Sequence, residues 1–361
     1  MDDTVILATS RERCEAKLRV VIQYCQEFGM IINTKKTQFF VINGNKDDMI
    51  PLEIDRTKVC YTHQYLYLGA WFTDSGKITD SIALHEKSNQ ATINKFAIFC
   101  AANRTMPFSY KKLVFDAAVT SSLLYSAESW LTNNIKSIEK HYNQLVRCLL
   151  GVRKNTSIEL CLVESGIPPI QYVLAKRRQK FFASNLNSND IEQPLIYAYH
   201  LCREYNTPTY RFISRCLVEN IEQNPFHNTI NIIKDKSTDG TKMRTYINEL
   251  NVPLNLHPIY TTNVFIPDYL RESFSRIRLM SHNLKIEKGR WSRTSRERRV
   301  CQCNNSHVQT EAHVLIHCPL TYNIRLRYPM LDFINITCLL GEVTHIYQLC
   351  NYIHEVLKVY K

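Results

Sequence analysis

The sequence predicts an α+β chain: a small strand-containing piece, then a long helical stretch, then a compact basic Cys/His module. Three observations carry this reading. Short β-branched and aromatic runs bounded by turn residues occupy the first 76 positions. Apolar residues then recur at helical spacing from about residue 79 to 220. From Arg271 to Arg299, ten Lys/Arg and three Asp/Glu crowd together, and a group of Cys and His follows at once.

Residues 4–9 (Thr-Val-Ile-Leu-Ala-Thr) read as a buried strand behind two acids, Asp2 and Asp3. Residues 11–28 place Cys14, Leu18, Val21, Cys25 and Phe28 on one helical face, with Gly29 as the stop. Residues 38–43 and 65–73 read as further strands, the second ending at the Asp74-Ser-Gly76 turn. Helices are expected over 80–102, 110–131, 134–150 and 170–186. Residues 221–270 look polar and irregular. A last helix over 343–360 aligns Val343, Ile346, Tyr347, Cys350, Ile353, Leu357 and Tyr360.

Composition narrows the function classes. Hydrophobic residues at 45% and charged residues at 22% exclude a mostly disordered chain. No run approaches about 18 consecutive apolar residues, which excludes a helical membrane span. Met1-Asp2-Asp3 does not resemble a secretory leader. Forty-five Lys/Arg against 33 Asp/Glu leave a net charge of +12, so polyanions are the expected partners, nucleic acid before membrane. The 13 cysteines are odd in number and mostly isolated. They read as reduced thiols of a nuclear or cytoplasmic protein, with Cys100, Cys148 and Cys202 as small apolar core residues.

Two groups carry chemistry. Cys301, Cys303, His313 and Cys318 give C-x-C-x9-H-x4-C, four thiolate or imidazole donors of the kind tetrahedral Zn²⁺ takes. His307 and His317 are spare candidates. Ahead of them, Arg276, Arg278, Lys288 and Arg290 alternate with apolar residues. Trp291 is placed to stack on a base while the cations meet phosphates. Glu311 reads as a cap or as a partner of a ligand.

Met1-Asp2-Asp3-Thr-Val-Ile-Leu-Ala resembles the x-Asp-Asp hairpin of reverse transcriptases of non-LTR (LINE-type) retrotransposons. Phe28-Gly29-Met30-Ile31-Ile32-Asn33 with Lys36-Thr37 is similar to that family's G-L-x-I-N-x-x-K-T segment. Tyr67-Leu68-Gly69 resembles its primer-gripping Y-L-G. Leu124-Tyr125-Ser126-Ala127-Glu128-Ser129-Trp130 resembles its L-x-Y-G-x-E-x-W, with Ser126 where Gly is usual. The basic Cys/His stretch resembles the module with which such elements often end.

The resemblance implies a partial palm of antiparallel strands plus a helix at 1–77 and a helical thumb at 78–186. A connector follows at 187–270, a zinc-knuckle-like module at 271–327 and a C-terminal helix at 328–361. It implies an RNA template and a DNA primer as partners, Mg²⁺ held by Asp2 with Asp3 beside it, and Zn²⁺ at the Cys/His group. Lys36 would face nucleotide or template, and Tyr67, Leu68 and Gly69 would hold the primer end. Members of the family carry a further metal-binding aspartate on an earlier strand, without a counterpart here. The expectation is therefore a fragment that does not polymerise alone. The rival reading is a non-enzymatic RNA/DNA-binding protein.

Overall fold

A computed structural model describes residues 4–54, 57–186, 193–239, 241–252, 254–262 and 264–360. It is α+β and mainly helical. Contacts divide the chain into two units: Met1–Gln90 with Leu123–Ser137, and Ala91–Ser122 with Ile138–Lys361. Residues 78–186 thus contribute to both. Among the described residues no helix is long and apolar enough to cross a membrane.

In the first unit, the helix Arg11–Glu27 begins at Ser10, whose hydroxyl accepts from the Arg13 N–H at 3.3 Å. Its Leu18 and Ile22 bury against Leu52, Ile54 and Val59 of the sheet, with Cys14 and Phe39 at the margin. Strand β1 (Gln38–Phe39) lies parallel to β3 (Thr57–Tyr61), and β2 (Leu52–Ile54) pairs antiparallel to β3. The expected strand at 4–9 does not form. No described strand lies beside residues 4–8 to take their backbone groups. Val5 and Leu7 stay exposed, Ile6 alone reaches the core, and the Leu7 carbonyl accepts from Lys17 Nζ at 2.7 Å.

The run 65–73 is not one strand but a hairpin. Strand β4 (Gln64–Tyr67) pairs with β5 (Ala70–Thr73), and Tyr67 faces Ala70 across a two-residue turn. Leu68 and Gly69 both have positive φ, 47° and 81°, the backbone that a tight hairpin with right-handed twist requires. Below it, Tyr61 Oη donates to Asp74 Oδ2 at 2.9 Å, and His63 Nδ1 lies 2.7 Å from the same oxygen. These two contacts, His63 first, hold the Asp74 carboxyl below its usual range.

The second unit is helical. Ile138, Tyr142, Leu145, Val146, Leu149 and Leu150 of the helix Lys136–Leu150 are buried. The helices Asp268–Arg278 and Ile346–Val359 pack together. The last helix buries Ile346, Cys350, Ile353 and Tyr360 of the expected stripe and Leu349, Tyr352 and Val356 beside them, while Tyr347, and Val343 ahead of the helix, are exposed. Residues 221–270 also hold a helix, His227–Asp235, only nine residues long, which buries Thr229 and Ile233. Of the three thiols expected in the core, Cys100 is buried, Cys202 is half-buried and Cys148 is exposed.

Two expectations follow from the fold. A Cβ at Gly69 would come within 2.7 Å of Tyr125 Cε1 on a left-handed backbone. Gly69→Ala should therefore destabilise the first unit by about 1–3 kcal/mol, read as a lower urea midpoint. In the second unit, burial, helped by the Arg278 charge, pushes His257 down to about 3. The folded protein then binds fewer protons than the unfolded chain between about 6.5 and 3. The contribution of His257 is complete above that window and falls by roughly 1.4 kcal/mol per pH unit within it. Denaturation at pH 7 and pH 5 should show a shallower loss in His257→Asn than in the parent.

Candidate metal centre and nucleic-acid interface

The Cys/His group is built from a short knuckle and a wide helical turn. Val300 bridges Val308, and the Cys301 N–H donates to the His307 carbonyl at 2.7 Å. Between them the chain reverses through Asn305, whose positive φ of 55° suits asparagine. Asn305 N–H returns to the Cys301 carbonyl at 3.0 Å. On the other side, residues His313–His317 form a π-helical turn closed by the Cys318 N–H on the His313 carbonyl at 2.7 Å. That widened turn brings the His313 ring and the Cys318 sulfur to one side.

The donor atoms of Cys301, Cys303, His313 and Cys318 all lie within 4.8 Å of one another. Cys301 Sγ is 3.8 Å from Cys318 Sγ, and Cys303 Sγ is 3.4 Å from His313 Nε2. Zinc–sulfur bonds of about 2.3 Å and zinc–nitrogen bonds of about 2.0 Å in a tetrahedron give edges of roughly 3.8 and 3.5 Å. The donor set and these two edges fit a zinc ion. Cys301, Cys318 and His313 are buried, and Cys303 is half-buried. Burial alone would raise the Cys301 thiol, but hydrogen bonds from the Cys303 backbone and the Gln309 amide bring it below its usual range. Burial and the neighbouring sulfurs raise the Cys303 thiol. His313 is lowered by burial, which favours the neutral imidazole that can ligate. His307 is exposed and stacks on His313 with ring centres 5.5 Å apart, and His317 is exposed; neither joins the four.

Residues around the cluster go beyond the sequence reading. Gln309 Nε2 lies 3.7 Å from Cys301 Sγ, while its Oε1 accepts from the Lys285 N–H at 2.7 Å. One amide thereby ties the start of the basic helix Lys285–Trp291 to the cluster. Tyr360 Oη donates to Cys318 Sγ at 2.9 Å. Both were hidden from sequence reasoning because their partners are reached only through the fold. Glu311 is buried and turned away from the sulfurs, toward His282 at 2.8 Å. His282 Nδ1 accepts from the Leu284 N–H, so its Nε2 carries the proton and donates to Glu311. That bond keeps the Glu311 carboxyl low despite its burial.

The basic segment separates into inward and outward cations. Arg278 is 3% exposed. Its Nε meets Glu164 Oε1 at 2.5 Å, and its Nη1 meets the Leu250 carbonyl at 2.8 Å. A guanidinium so enclosed has nothing to offer a phosphate, which corrects its place among the nucleic-acid contacts. Arg276 is half-buried on the Gly151 carbonyl and Glu272. Arg290 pairs with buried Glu287. Trp291 is exposed, but the Arg153 guanidinium lies 4.0 Å over its ring. Lys288 is exposed, as is Lys285 of the same segment; so are Arg293, Arg296 and Arg298, which sequence reasoning had not singled out. These five outward cations lead directly into Cys301.

In the first unit, Lys36 is exposed, Tyr67 is half-buried, and Leu68 and Gly69 form the hairpin turn. The Tyr125 ring lies over Gly69, and its hydroxyl donates to the Leu68 carbonyl at 2.8 Å. Ser126 has φ 59°, a left-handed backbone suited to glycine. Trp130 is buried edge-on to His85 with centres 5.2 Å apart, in keeping with a packing role. Asp2 and Asp3 lie outside the described residues.

The inward and outward cations should respond differently to replacement. Arg278→Met leaves the Glu164 carboxylate buried without its counter-charge and should cost about 3–5 kcal/mol. Lys288→Met should stay within about 0.5 kcal/mol. Urea unfolding of the two variants checks the contrast.

Comparison with known proteins bears on the chain in two places. Residues 1–72 match the family model for reverse transcriptase (RNA-dependent DNA polymerase). A transposon-derived protein of Caenorhabditis elegans is 26% identical over 160 residues, which is 42% of this chain and 55% of that relative. The chain thus spans about half the length of the curated relative it matches. No solved structure matches. The N-terminal part of the chain is reverse-transcriptase-like, and the chain is similar to a protein derived from a transposable element.

Proposed function

We propose that this chain is the C-terminal portion of a non-LTR (LINE-type) reverse transcriptase, and that its own activity is to bind RNA or DNA through a zinc-held basic module. The observation that carries the second statement is the Cys301/Cys303/His313/Cys318 cluster, with its near-tetrahedral edges and the five outward cations leading into it. The polymerase origin rests on the match over residues 1–72 and on the relative.

In the complete enzyme, Asp2 would contribute a carboxylate to the two Mg²⁺ ions of phosphoryl transfer, with Asp3 beside it. Tyr67, Leu68 and Gly69 would hold the primer end on a hairpin braced by Tyr125, and Lys36 would face nucleotide or template. Zinc supplies a structural cross-link when bound, tying the knuckle to the turn His313–His317. The remaining work falls to the chain's own groups. Lys285, Lys288, Arg293, Arg296 and Arg298 neutralise phosphates. The open part of the Trp291 ring stacks on a base, with the Arg153 guanidinium holding the indole in place.

The test uses the purified full chain, single-stranded RNA and DNA oligonucleotides, and a primed RNA template. One equivalent of zinc is expected, with chelation weakening binding. Lys288→Gln with Arg293→Gln should weaken both ligands uniformly and lower the salt slope by about 1–2. No primer extension is expected. Absence of zinc, or unchanged binding and slope in the double variant, would overturn the binding site assigned here; templated extension would overturn the view that binding is this chain's own activity.

A further inference from the structure

The last helix reaches the metal-ligating cluster directly. Tyr360 closes the helix Ile346–Val359 and is 7% exposed. Its hydroxyl lies 2.9 Å from Cys318 Sγ, across 42 residues of sequence. Cys318 is fully buried, and its sulfur is 3.8 Å from that of Cys301. A phenol enclosed in this way needs an acceptor for its proton, because an unmet buried hydroxyl is costly. A neutral thiol is a weak acceptor, whereas a thiolate is a strong one. The contact therefore suits the deprotonated sulfur that zinc requires.

The helix is not free to withdraw that hydroxyl. Tyr352, two turns earlier, donates to the Leu315 carbonyl within the turn His313–His317 that carries the cluster's histidine. Tyr352 also meets the Tyr328 ring edge-on at 5.5 Å. The same helix is packed along Asp268–Arg278. Two phenols of one helix thus hold two points of the metal-ligating segment: Tyr352 on backbone and Tyr360 on sulfur.

We propose that Tyr360 is a positioning residue of the metal centre, donating a hydrogen bond to the Cys318 thiolate so that the end of the C-terminal helix sets how tightly the cluster holds zinc. This rests on the zinc reading above. Partners of this kind, behind metal ligands, commonly change metal affinity 10–100-fold. A hydrogen bond to a coordinating sulfur also stabilises its lone pairs, which raises the energy of sulfur-to-metal charge transfer.

The experiment compares the full chain with Tyr360→Phe and Tyr352→Phe. Zinc affinity is measured by chelator competition, and the charge-transfer band is read after loading with Co²⁺. Tyr360→Phe should bind zinc 10–100-fold more weakly and move the Co²⁺ band to lower energy, with far-ultraviolet circular dichroism unchanged. Tyr352→Phe, which deletes a buried hydroxyl from the same helix without touching sulfur, should leave the band in place. Equal affinity and an unshifted band in Tyr360→Phe would overturn the role of Tyr360 while leaving zinc binding intact. Weaker affinity with an unshifted band would make Tyr360 a packing residue and overturn it as well. If the parent chain takes up neither zinc nor Co²⁺, the metal reading itself fails.

Discussion

Burial of Arg278 ties three parts of the second unit to one ion pair. A guanidinium removed from water is tolerable only when its charge and its fork of N–H groups are both met. Glu164 supplies the charge, and the Leu250 carbonyl takes a further N–H. Glu164 in turn accepts from Tyr246, whose hydroxyl accepts from Asn251. The helix Ile158–Ser165, the segment 246–251 and the helix Asp268–Arg278 are therefore fixed to one point. The chain leaves that point through Met280 and Ser281 to His282, and His282 holds Glu311. The cluster's second half is thus tied, through Glu311 and His282, to the segment that follows the helix carrying Arg278.

The sequence was most legible where periodicity is strong and local. The helix Lys136–Leu150 and the helix Arg11–Glu27 appear close to where apolar spacing puts them. It was least legible where a tertiary partner decides. The run 4–9 has strand composition but no strand beside it. The run 65–73 alternates like one strand, yet Gly69 lets it turn back on itself. Charge density pointed to the basic segment, but density does not tell Arg278 from Lys288. Glu164 and the Leu250 carbonyl, both reached across the fold, meet the one inside, while the other stays exposed. Likewise the four spaced ligands were readable as donors, whereas the phenol and the amide behind them were not.

Two of the short motifs that looked independent along the chain prove to be one construction. The turn at Tyr67-Leu68-Gly69 and the segment Leu124–Trp130 meet through the Tyr125 ring and hydroxyl. Glycine at 69 leaves room for that ring, and the backbone at Ser126 adopts a left-handed bend just after it. Ser126 carries the strain that a glycine in the same place would avoid, while Ser129 gives its hydroxyl proton to the Ser126 carbonyl at 2.7 Å. A hairpin held at its tip from outside is stiffer than its own few ladder bonds would make it.

The division of the chain has a bearing on how the molecule comes apart. Because residues 123–137 return to the first unit, the polypeptide passes between the units three times, after 90, after 122 and after 137. Neither unit is a continuous stretch of sequence. A single protease cut at any of these crossings would leave two pieces, each missing part of a unit or carrying part of the other. Nicked protein would stay associated through noncovalent packing until denatured, so the two halves cannot be prepared as independent domains by shortening the chain from either end.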